Sequence, residues 1–103
     1  MLLLIEFDFD ADIIDVPETI IDNREIYRKQ FLRWLHNSGT KHRYWVRGKK
    51  HAEKEFVGLC YRADAFVEWL NKKVLDKNIE KATIIQSHVA IEDYKNILPS
   101  VFF

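Results

Sequence analysis

Cysteine, glycine and proline are all scarce in this chain. The single cysteine, Cys60, excludes an intrachain disulfide framework and any zinc site built from several thiolates. The three glycines, Gly39, Gly48 and Gly58, are isolated, so there is no glycine-rich phosphate loop. Two prolines are too few for a linker-like or collagen-like chain. No apolar run approaches the ~18 residues of a membrane helix. The apolar start, Met1 to Ile5, has no base before it and is followed at once by Glu6 and Asp8, unlike a signal peptide. The expectation is a cytoplasmic protein with no membrane partner, and a lone cysteine agrees with it. Net charge is also lacking: 16 basic and 16 acidic residues cancel, so bulk charge points to no polyanionic partner.

What is present is apolar and aromatic. The chain has 103 residues, of which 48% are hydrophobic and 14% aromatic, enough for one packed domain over 1–103. Its charge is segregated along the sequence. Residues 1–22 carry Glu6, Asp8, Asp10, Asp12, Asp15, Glu18 and Asp22 and no Lys or Arg. Residues 23–54 carry Arg24, Arg28, Lys29, Arg33, Lys41, Arg43, Arg47, Lys49, Lys50 and Lys54 against Glu25 and Glu53. Such blocks either neutralise each other in the fold or leave a dipolar surface that steers association.

Periodicity supplies the elements. Over 4–12, Ile5, Phe7, Phe9 and Ala11 alternate with Glu6, Asp8, Asp10 and Asp12, which predicts a first strand with one apolar and one acidic face. Asp22 to Glu25 reads as a capping box opening a helix over 23–37, with Ile26, Tyr27, Phe31, Trp34 and Leu35 as its buried stripe. Residues 42–47 and 56–61 read as an antiparallel strand pair. A second helix is expected over 64–75, a fourth strand over 82–87 and a short helix over 90–98 before Pro99. The order is β-α-β-β-α-β. It predicts an α+β, ferredoxin-like split βαβ fold: an antiparallel four-stranded sheet, two helices on one face and a short C-terminal helix. Phe31-x-x-Trp34-Leu35 and Phe66-x-x-Trp69-Leu70 repeat one pattern on the two main helices, as matching core positions would.

Three groups of residues could carry chemistry. Carboxylates at i and i+2 on the first strand are hard oxygen ligands of the kind Mg²⁺ takes, but the neighbouring hairpin offers no acid inside either strand to complete a site. Cys60 has no histidine in a local signature, so no nucleophile is assigned. No catalytic, cofactor-binding or metal-ligating residue is therefore named, and no cofactor is expected. The third group is the basic hairpin over 41–54, where Arg43, Trp45 and Arg47 alternate and Lys49, Lys50 and Lys54 crowd the turn. Bases interleaved with an aromatic can hold phosphates and stack on nucleobases. Trp45, Phe56, Phe102 and Phe103 are aromatics in excess of what one small core absorbs, and surplus aromatics mark interfaces.

The leading reading is a small, non-enzymatic protein-interaction or regulatory domain that forms a homodimer or joins a complex. Its expected surface comprises Arg43, Trp45, Arg47, Lys49, Lys50, Lys54, Phe102 and Phe103. A nucleic-acid-binding module using the basic hairpin is the alternative. A Mg²⁺-dependent enzyme using the acidic first strand is the third.

Overall fold

A computed structural model describes residues 1–37, 42–47 and 57–103. The chain opens with a hairpin. Strand β1 (Leu2–Glu6) pairs antiparallel with β2 (Ala11–Asp15), Leu2 opposite Asp15 and Glu6 opposite Ala11. The Phe7 N–H donates to the Asp10 carbonyl at 2.8 Å and closes the turn. The single strand expected over 4–12 thus crosses a turn, and its two ends are different strands. Phe9, placed by the alternation on the apolar face, stands 96% exposed at the tip. Glu6 and Asp12, placed on an open acidic face, are buried. The physical reason is that β1 and β2 are covered on both faces. Leu3, Ile5 and Ile14 enter one core, whereas Leu4, Ala11 and Ile13 enter another with Val89. A strand covered on both sides reads as a continuous apolar run and shows no alternation.

Helix α1 (Glu18–Asp22) and helix α2 (Arg24–His36) follow, joined at Asn23. The expected capping box is absent. Asp22 closes α1, Asn23 precedes α2, and neither helix start carries a side-chain cap. The Asn23 amide instead donates to the Thr19 carbonyl at 2.9 Å. Arg24, Arg28, Phe31 and Leu35 lie along one ridge of α2 at helical spacing. Ile26, expected in the buried stripe, lies off that ridge and is exposed.

Strands β3 (Trp45–Arg47) and β4 (Val57–Leu59) pair antiparallel, as expected, but they form a separate two-stranded sheet. Helix α3 (Ala63–Trp69) continues into a π-helical turn (Leu70–Val74), marked by the Leu75 N–H to Leu70 carbonyl bond at 2.7 Å. Strand β5 (Thr83–Val89), helix α4 (Ile91–Tyr94) and strand β6 (Ser100–Phe102) complete the order.

The fold is α+β, with four α-helices among the described residues and a four-stranded mixed sheet ordered β5-β2-β1-β6. Strand β6 runs parallel to β1, and the other neighbours are antiparallel. This corrects the expected split βαβ order and the all-antiparallel sheet. Two strands come from the first hairpin, and the last strand comes from a tail that the periodicity left unassigned. The main core lies between the sheet and helices α1–α3. Its centre is aromatic: Phe31 meets Phe66 edge-on at 5.3 Å between ring centroids, and Phe66 stacks on Trp69 at 6.2 Å. Leu35 and Leu70 are fully buried beside them, so both copies of the Phe-x-x-Trp-Leu pattern enter one core. A smaller cluster on the far face is covered by Ile91, Tyr94 and Leu98. No helix among the described residues is long and apolar enough to cross a membrane.

Candidate interaction surface

The two edges of the four-stranded sheet are finished differently. At β6, the Leu4 N–H donates to the Pro99 carbonyl and the Phe103 N–H to the Glu6 carbonyl, each at 2.9 Å. Strand alternation therefore turns the carbonyls of Ser100 and Phe102 away from β1. Arg24 Nε donates to the Ser100 carbonyl at 3.0 Å, and Arg28 Nε donates to the Phe102 carbonyl. Two arginines one helical turn apart thus occupy the outer acceptors of this edge. Charged side chains over an edge are a barrier to strand addition.

Among the described residues, the β5 edge has no such cover. Its sequence, Thr83-Ile84-Ile85-Gln86-Ser87-His88-Val89, contains no Asp, Glu, Lys, Arg or Pro. All of its residues except Val89 are exposed, with Ile84 at 41% and Ile85 at 54%. No strand lies outside it among the described residues. The strand is anchored at both ends. Asn71 on the π-helical turn accepts from the Ala82 N–H at 2.7 Å and donates to the Ala82 carbonyl at 3.0 Å. The register against β2 shifts twice, around Ile85 and around Ser87–His88, so β5 carries two bulges.

The far end is held by a buried carboxylate. Asp12, 1% exposed, accepts from Arg62 Nη2 at 2.6 Å and Nε at 3.3 Å. It also accepts from the backbone N–H of Ala63 at 3.2 Å and of His88 at 3.0 Å. Burial alone pushes the Asp12 carboxyl up, but the hydrogen bonds from Arg62, His88 and Ala63 outweigh it and hold the group below the usual carboxylate range. Asp10 accepts from His88 Nδ1 at 2.8 Å and from Arg62 Nη2 at 2.9 Å, and the two bonds lower its pKa in that order. His88 stands at φ 59°, in the left-handed region that costs a non-glycine residue. Its N–H bond to Asp12 holds it there and fixes the bulge. The Arg62 guanidinium also lies 4.6 Å from the Phe7 ring centroid. Among the described residues, the first-block acids Asp10 and Asp12 thus pair with Arg62 and His88, which lie outside the basic block.

Beside β5 lies a cavity of about 280 Å³, lined by Cys60, Tyr61, Arg62, Asp64, Ile84 and Ser87 together with Asp12. Among the described residues, no group of three or more His, Cys, Asp or Glu side chains could hold a metal ion. Asp10 and Asp12 are turned instead toward Arg62, Asp15 toward the N-terminal ammonium at 2.8 Å and Glu6 toward Lys95 at 3.7 Å.

Of the surface read from the sequence, the side chains of Arg43, Trp45, Phe102 and Phe103 are described. Arg43 is exposed and pairs with Glu68 at 3.1 Å, whose other oxygen takes Lys72 at 2.9 Å. The Tyr44 hydroxyl donates to the same Glu68 carboxylate, and burial together with this bond pushes its pKa up to about 12. Trp45 is half-buried and stacks on the His42 ring at 5.5 Å. Arg47 ends β3, and Lys49, Lys50, Lys54 and Phe56 lie outside the described residues. Phe102 is exposed on β6, but Phe103 packs inward against Phe66 at 5.0 Å and Phe31 at 5.5 Å. A second cavity, of about 220 Å³, opens beside Arg43, between α2 and the π-helical turn. Sequence reasoning missed β5 as a surface. The available signal was seven consecutive residues without a charge or a proline. Compared with family models, with curated proteins and with solved structures, the chain matches none.

Proposed function

We propose that the protein is a non-enzymatic interaction module that pairs with a second copy of itself along β5. The observation that carries this reading is the asymmetry of the sheet. One edge is capped by Arg24 and Arg28, and the other, open among the described residues, has no Asp, Glu, Lys or Arg and presents two exposed isoleucines beside a cavity. Strand addition draws affinity from main-chain bonds and selectivity from adjacent pockets that receive side chains. The β5 edge supplies both elements.

A second copy fits for two reasons. An uncharged strand opposes no like charges when it pairs with itself. It also sets the exposed Ile84 and Ile85 of each copy against the same edge of the other, which is the reciprocity a two-fold interface requires. The two bulges shorten the regular stretch available for pairing. Such a contact lies below about 1,200 Å² of buried surface, so the dimer is reversible and concentration-dependent. Because β5 is uncharged, the dimer persists at about 1 M salt, where charge interactions are screened within ~3 Å.

Sedimentation velocity over a range of protein concentrations tests this. The wild-type chain is expected to shift from monomer to dimer, and Ile85→Lys, which places a charge on the edge, is expected to stay monomeric while keeping its circular dichroism. A wild-type monomer at every concentration, or an Ile85→Lys dimer of unchanged strength, would overturn the reading.

A further inference from the structure

The cavity beside Arg43 is distant in character from the β5 edge. Its floor is aromatic: Trp34 on α2, Trp69 at the end of α3, and the His42 ring 4.7 Å from Trp34. Its rim is basic: Arg43, Lys72 and Lys73. One acid, Glu68, lies among them, and both of its oxygens are engaged by Lys72, Tyr44 and Arg43. Three cations against one satisfied carboxylate leave the rim positive.

The local backbone is arranged for this rim. Lys72 and Lys73 lie within the π-helical turn, a rare feature that recurs at functional sites. The turn is wider than an α-helical one, so consecutive residues diverge less around the axis. Both lysines consequently line one cavity. The His42 ring is fixed from both sides, because Nε2 donates to the Leu35 carbonyl at 2.8 Å and Nδ1 accepts from the Tyr44 N–H at 3.2 Å. A clamped ring, tilted 38° to Trp34, makes this a preformed aromatic surface.

We infer that this cavity binds one nucleotide unit, with its base against the Trp34, Trp69 and His42 floor and its phosphate between Arg43, Lys72 and Lys73. The volume supports one ring system and no more. At about 220 Å³ it falls below the ~300–1,000 Å³ of sites that enclose a whole drug-sized ligand. The base fills it, and the phosphate remains at the mouth, where the exposed lysines stand. Base stacking on an aromatic floor with a basic rim is how single-stranded nucleic acid is held without sequence readout. A free nucleotide and an unpaired base within a strand present the same chemistry.

The test is tryptophan fluorescence of the intact chain, titrated separately with adenosine monophosphate, adenosine, inorganic phosphate and a single-stranded oligoadenylate. Adenosine monophosphate is expected to quench saturably, and adenosine and phosphate each to bind about tenfold weaker or less, because each supplies half of the recognition. Stronger binding of the oligoadenylate assigns the site to a strand, and equal binding assigns it to a free nucleotide. The double variant Lys72→Ala, Lys73→Ala alters only exposed side chains and is expected to bind about tenfold weaker with an unchanged melting curve. Three results would overturn the assignment: no saturable quenching, phosphate alone binding as tightly as the nucleotide, or unchanged affinity in the double variant.

Discussion

Replacing Asp12 by asparagine changes two hydrogen-bond acceptors by one atom and almost nothing in shape. In the native protein both carboxylate oxygens are saturated. One receives Arg62 Nη2 and the His88 N–H, and the other receives Arg62 Nε and the Ala63 N–H. Whichever way an asparagine amide is turned, its NH₂ group faces two donors. Arg62 also loses its buried counter-charge and keeps only Asp10. Removing one partner of a fully buried ion pair costs about 3–5 kcal/mol. Arg62 is 32% exposed and keeps Asp10, so the loss lies at the low end, about 3 kcal/mol, still a large share of the ~5–15 kcal/mol that stabilises a domain. With a urea slope of about 1–3 kcal/mol per molar, the unfolding midpoint of Asp12→Asn falls by at least about 1 M at neutral pH. The pH dependence follows from the same bonds. The folded pKa of Asp12 lies below its unfolded value of about 3.9. The stabilisation is therefore complete above that pH and disappears as pH falls through the folded value. The stability gap between wild type and Asp12→Asn should narrow in acid. Urea melts followed by far-ultraviolet circular dichroism at neutral and acid pH measure both effects. A loss below about 1 kcal/mol at neutral pH would show that the Arg62 cluster does not hold β2, α3 and β5 together.

Three other perturbations probe separate parts of the fold. Phe66→Ala removes a fully buried ring at the centre of the aromatic core and should cost about 3–5 kcal/mol in denaturant melts. Arg24→Ala with Arg28→Ala uncovers the outer carbonyls of β6, and light scattering should report higher-order association that the wild-type chain does not show. Tyr44 should be the last tyrosine to ionise in an ultraviolet titration, near 12, and that step should vanish in Tyr44→Phe. Because its folded pKa is raised, its contribution to stability is present below about 10 and is lost as pH rises through 12.

The helices were the most legible part of the sequence. The period of Phe31 and Leu35, and of Phe66 and Leu70, marks ridges that pack on one side, and α2 and α3 lie where that period placed them. The strands were harder, for reasons visible in β1 and β2. Both faces of these strands are covered, so Leu2 to Ile5 show no alternation. The clean alternation from Ile5 to Asp12 straddles a turn and belongs to neither strand alone. Strand β6 has three residues and is specified by its partner β1 and by two arginines whose bonds to it span 76 and 74 positions in sequence, beyond the reach of local pattern. The same holds for the Asp12–Arg62 pair, whose members are 50 positions apart. The basic hairpin drew attention because its composition is extreme. The open edge at β5 did not, because a surface suited to pairing with another strand is marked by the charges it lacks.

Hydrogen exchange of the backbone amides, measured at low and high protein concentration, bears most directly on the claim that β5 is the association edge. Strand pairing buries the outward amides of residues 83–89 and leaves those of β6 and the β3–β4 sheet unaffected. The account predicts that protection within Thr83–Val89 rises with concentration, while protection elsewhere stays constant. Exchange in β5 that is independent of concentration, or protection that rises at a different surface, would contradict it.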